Sequence, residues 1–173
     1  MRKMCSWCKA DLGEVHSEFL SDTEITYGIC EECLNAYFGL RQVRFLDFID
    51  SLDAPVVVID EHGVVSSANR KARLFLQKEL PHIEGFKGGD VFECAYAKLP
   101  EGCGETNHCD GCSIRKTVMD TFQTGKSHLK TPAYMFHGIP DNNDEIRFLI
   151  STEKVKDVVL LRIDEVGCNQ ETL

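Results

Sequence analysis

Nine cysteines dominate the chemistry open to this sequence, and eight of them fall into two sets of four. Cys5-Ser-Trp-Cys8 and Cys30-Glu-Glu-Cys33 are two C-x2-C pairs separated by twenty-one residues. A two-residue gap lets a tight turn aim both sulfurs at one ion, and two such pairs complete a tetrahedron with Zn–S distances of about 2.3 Å. No coordination position stays open, so zinc here is structural and its binding energy contributes to folding. A redox dithiol is the competing use of such pairs. The second set, Cys94, Cys103, Cys109 and Cys112, is spaced C-x8-C-x5-C-x2-C. That lies near the plant-type C-x4-C-x2-C cluster pattern without matching it. Three occupants suit this set: an iron–sulfur cluster, a zinc ion, or none, with the thiols empty or paired as disulfides. Four thiolates crowded together without a cation raise one another's pKa and reprotonate, which favours a bound centre. Cys168 is left over. His16 and His108 lie beside the two sets and read as exposed residues, not ligands.

Each set needs elements to hold it. Residues 1–33 are polar and broken, with too little apolar surface to fold without a staple. Residues 34–52 read as one helix: Leu34, Phe38, Arg41, Phe45, Phe48 and Leu52 alternate spacings of four and three, as in a heptad seam. Tyr37, Leu40, Val43, Leu46 and Ile49 broaden the stripe enough to predict contact with a second copy. Asp53-Ala-Pro55 ends that helix. Val56-Val-Val-Ile59 is a buried-strand signature, Asp60–Gly63 a turn, and residues 64–67 a returning strand. Asn69 has the chemistry of a helix N-cap, and Pro81 stops the short helix that follows. Gly102, Gly104 and Gly111 let the backbone of the second cysteine segment curl and donate to sulfur. A second amphipathic helix follows from about Ser113, with Ile114, Val118 and Phe122 on one face and Gly125 just past its end. Its N-terminus would favour thiolates at Cys109 and Cys112. Strands over 133–137, 146–152 and 158–163 close the chain. Late consecutive strands with short links pair antiparallel, which makes the class α+β.

The order resembles the PAS fold. Val56 to Asn69 looks like its opening hairpin and the asparagine that starts its first helix, Gly89-Asp-Val-Phe92 like the segment before its long helix, and residues 133–163 like its three closing strands. The resemblance covers roughly residues 45–166. It implies a five-stranded antiparallel PAS-like sheet with flanking helices, preceded by a helix and a small zinc-ribbon-like module. The organisation expected is a module over 1–33, a connecting and dimerising helix over 34–53, the PAS domain over 54–166 and a tail over 167–173. The first cysteine set resembles a zinc-ribbon-like module that accompanies receiver and PAS domains in bacterial signalling proteins. The second resembles a cysteine-bearing subgroup of bacterial PAS domains.

These resemblances imply a sensory or regulatory protein in signal transduction, not an enzyme. Its second cysteine set would sense redox state, oxygen or metal, and its partners would be a second copy of itself and a signalling output protein. Two alternatives are a zinc-stapled interaction module without sensing, and a thiol-redox protein using Cys109 and Cys112. Noncovalent haem or flavin is a further option for a PAS core, with Phe75, Phe92, Phe122, Tyr134, Met135, Phe136 and Phe148 as candidate lining. The net charge of −9 opposes binding to phosphate backbones, so no nucleic-acid partner is expected. The N-terminus has no apolar signal segment, and no apolar run approaches the roughly 20 residues that span a bilayer, so the expected location is the cytoplasm, with no membrane partner.

Overall fold

The computed structural model describes residues 1–6, 8–15, 25–38, 42–140 and 142–168. His16, Leu40, Arg41 and the tail beyond Cys168 lie outside them. The chain divides into two units, Met1–Asp53 and Ala54–Leu173.

In the first unit, residues 1–33 contain more regular structure than their polar sequence suggests. Strands β1 (Arg2–Cys5), β2 (Asp11–Glu14) and β3 (Ile25–Gly28) form a sheet in the order β2-β1-β3. β1 runs antiparallel to β2 and parallel to β3, with Arg2 opposite Ile25 and Cys5 opposite Gly28. Four-residue strands are too short for alternation to register in a sequence pattern. Helix α1 (Glu31–Phe38) begins three residues before the expected helix, so that Cys33 lies inside it. Glu31 and Glu32 in its first turn complement the positive end of the helix dipole. Of the helix expected over 34–52, the described residues give the greater part of α1 and a second helix, α2 (Gln42–Asp50), with residues 39–41 outside them. On α2, Phe48 and Ile49 are buried, while Leu46 is 37% exposed.

The second unit is an antiparallel sheet of five strands with helices on it. Its strands are β4 (Val56–Ile59), β5 (Val65–Ala68), β6 (His128–Ile139), β7 (Asn142–Val155) and β8 (Val158–Cys168), in the order β5-β4-β8-β7-β6. Every pairing is antiparallel. The first strand of this sheet therefore sits between the second and the last, β8 is central, and the helical segments fill the link between β5 and β6. This is the PAS-like α+β architecture. Val57, Ile59, Val65, Phe148, Ile150, Leu161 and Ile163 pack the sheet's inner face into one core with Ala72, Ile83, Val91 and Val118.

Helix α3 (Arg70–Leu76) starts where the sequence places its cap. The Asn69 side-chain oxygen accepts from the Ala72 amide at 2.8 Å and from the Val56 amide at 2.9 Å, and its amide group donates to the Ala54 carbonyl. One buried side chain thus ties the helix start to the first sheet strand. A one-turn helix α4 (Gly88–Val91) and the longer α5 (Ser113–Thr124) follow. Gly125 ends α5 with φ +74°, a left-handed conformation natural to glycine. The three closing strands extend well beyond their apolar runs, because β6 and β7 continue as a hairpin to Ile139 and Asn142. β6 is an edge strand with an irregularity between His128 and Thr131, where Lys130 has φ +42° and Pro132 follows. Among the described residues, no helix is long and apolar enough to cross a membrane.

Candidate metal centres

The parallel pairing of β1 and β3 assembles the first cysteine set. Parallel strands end side by side, so Cys5 at the end of β1 meets the chain leaving β3 at Gly28, two residues before Cys30. A tight turn returns Cys8: the Cys5 amide donates to the Ala10 carbonyl at 2.8 Å and the Lys9 amide to the Cys5 carbonyl at 3.0 Å. Lys9 takes a left-handed conformation to make that turn. Cys33 arrives on the first turn of α1.

The four sulfurs lie within 4.8 Å of one another. The Cys8 and Cys30 sulfurs are 3.6 Å apart, close to the roughly 3.8 Å edge of a tetrahedron drawn with 2.3 Å Zn–S bonds. The Cys30 amide donates to the Cys5 sulfur and the Cys33 amide to the Cys30 sulfur, at 3.4 and 3.3 Å. All four are free thiols, not disulfides. Burial pushes the Cys33 thiol far above its ordinary range, and its three cysteine neighbours push it the same way. A divalent cation reverses that balance by pairing with the thiolates directly. The donor set therefore suits one tetrahedral ion.

The second set is built differently. Cys94 follows α4, Cys103 lies in an irregular loop, Cys109 sits in a 3-10 turn over Asn107–Gly111, and Cys112 is the N-cap of α5. All four line one cavity of about 510 Å3, with Phe92, Ile114, Val118, Met135 and Leu161 among its apolar walls. Three of the sulfurs accept backbone hydrogen bonds: Cys103 from the Gly89 amide at 3.3 Å, Cys109 from the Gly104 amide at 3.1 Å, and Cys112 from the Arg115 amide at 3.5 Å. The Thr106 hydroxyl lies 3.3 Å from the Cys109 sulfur.

The set is electrostatically connected, since Cys112 feels Cys94 and Cys109, and Cys103 feels Cys109 and Cys112. Yet among the described residues only the first set brings three or more ligand atoms within 4.8 Å of one another. The second is a wider ring, with no disulfide in it. The expected lowering of the Cys112 thiol by its helix is outweighed. Burial raises it, and the Arg115 amide only partly offsets that. Burial likewise pushes Cys103 up to about 11.

Several contributors escape sequence reasoning. Of the three glycines expected to donate to sulfur, Gly104 does so; Gly89, outside that group, does as well. Gly89 is also sterically constrained, because a methyl group there would fall 2.6 Å from the Cys103 sulfur. The Gly-Gly pair at 88–89 was the available signal. Arg115 closes the loop from the other side, its guanidinium donating to the Gly104 carbonyl at 3.2 Å. His108 is exposed as expected, but its ring stacks on Tyr96 with centroids 3.8 Å apart, and both line the cavity. Of the aromatic and Met residues considered as pocket lining, Phe92, Tyr134, Met135 and Phe136 do line it. Phe148 belongs to the core, and Phe75 is 40% exposed. Cys168 is the last residue of β8, paired in register with Ile146.

No protein-family model and no curated protein matches this chain. Solved structures similar to it include the photoactive yellow protein domain of the sensor histidine kinase Ppr from Rhodospirillum centenum, at 12% identity and a TM-score of 0.43, covering 76% of this chain and 99% of that one. Another is a domain of a sensory box sensor histidine kinase/response regulator from Geobacter sulfurreducens, at 6% identity and 0.45, with the same two coverages. A third is the PAS domain of nitrogen regulation protein NR(II) from Vibrio parahaemolyticus, at 10% identity and 0.41, covering 70% of this chain and 94% of that one.

Proposed function

We propose that this chain is a sensory module of signal transduction that binds and reports, without turnover of a substrate. Residues 1–33 of its first unit form a zinc-ribbon-like module stapled by structural zinc at Cys5, Cys8, Cys30 and Cys33. Its second is a PAS-like domain whose cysteine ring holds a metal or redox centre. The observation that carries this reading is the convergence of Cys94, Cys103, Cys109 and Cys112 on one cavity of the PAS-like unit. Backbone amides directed at three of the sulfurs support thiolate chemistry there.

The route from the centre to the sheet runs through β6. Cys112 caps α5, and the next residue, Ser113, accepts the Tyr134 amide of β6 on its hydroxyl at 3.1 Å. Cys94 forms a β-bridge with His137, and the Lys98 ammonium donates to the Gly138 carbonyl at 2.6 Å. Loss or oxidation of the centre would loosen residues 94–112 and release these ties together. Residues 34–52 would carry the change to a second copy and from there to an output protein.

Hydrogen exchange tests the reading. Anaerobically loaded and chelator-stripped protein should differ in β6, with residues 133–139 exchanging faster once the centre is gone. Equal exchange in the two states would overturn it.

A further inference from the structure

We infer that the cysteine ring of the PAS-like unit takes a polynuclear iron–sulfur cluster and not a single zinc ion. This rests on the reading of that ring as a metal centre. The first cysteine set is an internal reference, because the same chain there shows what a one-ion site looks like, with four sulfurs mutually within 4.8 Å. The ring is wider, and its sulfurs are pinned. Closing it onto one ion needs sulfur separations of about 3.8 Å, so sulfurs now held by the Gly89, Gly104 and Arg115 amides would have to move. A polynuclear core does not require all four sulfurs to close on one point, because its thiolates are divided among several metal atoms.

Space and chemistry agree. The cavity of about 510 Å3 far exceeds the room that one ion needs, a water molecule's share of liquid being about 30 Å3. Soft thiolate donors select zinc, cuprous copper or iron–sulfur cores, and of these the last fills a wide four-thiolate ring. Amide hydrogen bonds to the sulfurs and an apolar wall are the features by which proteins tune such clusters. Lys87 and Arg115 line the same cavity against one carboxylate, Glu105, which leaves a single positive charge to offset part of the negative charge of a four-thiolate cluster. Loading exchanges four S–H bonds for four cysteinyl Fe–S bonds; the thiol protons, and those of the hydrosulfide that becomes bridging sulfide, go to solvent, and the ferric part of the core comes from ferric iron supplied with the ferrous iron.

The test uses the full chain, purified without oxygen and incubated with ferrous and ferric iron and sulfide. Iron, acid-labile sulfide and zinc are then measured, together with the visible spectrum. The expected result is iron and sulfide in equal amounts, a broad visible absorption, and about one zinc per chain retained at the first site. Cys103→Ser should lower bound iron and sulfide at least tenfold, and Cys5→Ser should leave them in place. X-ray absorption at the iron edge of the unmodified chain needs no variant, and an Fe–Fe shell is expected. Two zinc per chain with iron excluded, iron without an Fe–Fe shell, or a cluster indifferent to Cys103→Ser in a folded variant would each overturn the inference. A cluster whose removal leaves β6 exchange unchanged overturns the sensory reading alone. A zinc ring whose removal alters that exchange overturns the cluster alone.

Discussion

Replacing Gly89 with alanine separates a metal-binding role of the cysteine ring from a packing role. The new methyl would fall 2.6 Å from the Cys103 sulfur, 3.0 Å from its Cβ and 3.2 Å from the Ala97 Cβ. Were nothing to move, overpacking would cost about 1–3 kcal/mol. Alanine in place of glycine within helical geometry returns about 0.5–1 kcal/mol. The atom most in the way is the end of a side chain in an irregular loop, so Cys103 yields and relieves most of the clash. The net destabilisation is then at most about 2 kcal/mol, or roughly 6 °C in melting temperature. The displaced sulfur loses the Gly89 amide and its place in the ring, and loss of such an outer partner weakens metal binding about 10–100-fold. A chelator titration of anaerobically loaded protein reads this directly, with the first site as reference. Gly88→Ala is the control, because a methyl at Gly88 meets nothing within 4 Å. If Gly89→Ala surrenders its second-site metal at the wild-type chelator concentration, the Cys103 sulfur is not a ligand.

Cys30→Ser should release the first-site metal and open residues 1–33 to protease while the second unit keeps its melting transition; retained metal and resistance would show the site misassigned. Asn69→Ala removes the acceptor of two buried amides and should cost about 2–4 kcal/mol by denaturant unfolding, whereas a loss under 1 kcal/mol would contradict the cap's role. Phe45→Glu places a charge on the proposed dimer face and should give a monomer by sedimentation; a wild-type chain already monomeric at high concentration rejects that face. The hydrogen bond and charge of Lys78 hold the Glu93 carboxyl below its ordinary 4.5, with His137 adding to the effect. The stability this contributes is complete above pH 4.5 and is lost as pH falls through the depressed value, so Glu93→Gln should flatten the acid side of the melting-temperature profile. Superimposable wild-type and variant profiles would contradict it.

Much of the second unit was legible because its signals are local. Val56–Ile59 is a β-branched run, Asn69 and Gly125 are caps whose chemistry depends on their own residue type, and the cysteine spacings stand out against any background. The first unit was less legible. Strands of four residues of mixed polarity are too short to show periodicity, and nothing local announces that β1 and β3 run parallel, although that pairing is what brings Cys5 beside Cys30. The ring's surroundings were hidden for another reason. Gly89 acts on a sulfur fourteen residues away that the fold brings to it, a contact that sequence spacing does not encode, whereas the Thr106 hydroxyl and the Arg115 amide act on sulfurs three residues away.

The distorted start of β6 bears on how copies of this protein can meet. An open sheet edge invites a neighbouring molecule to extend the ladder, the route by which folded chains seed fibres. β6 is the long edge here, but Lys130 bends it out of extended geometry and Pro132 has no N–H to offer. β5, the opposite edge, is only four residues long. Neither margin is a good template, so hydrogen-bond propagation stops within each molecule. Crowded copies are left to recognise one another through side chains.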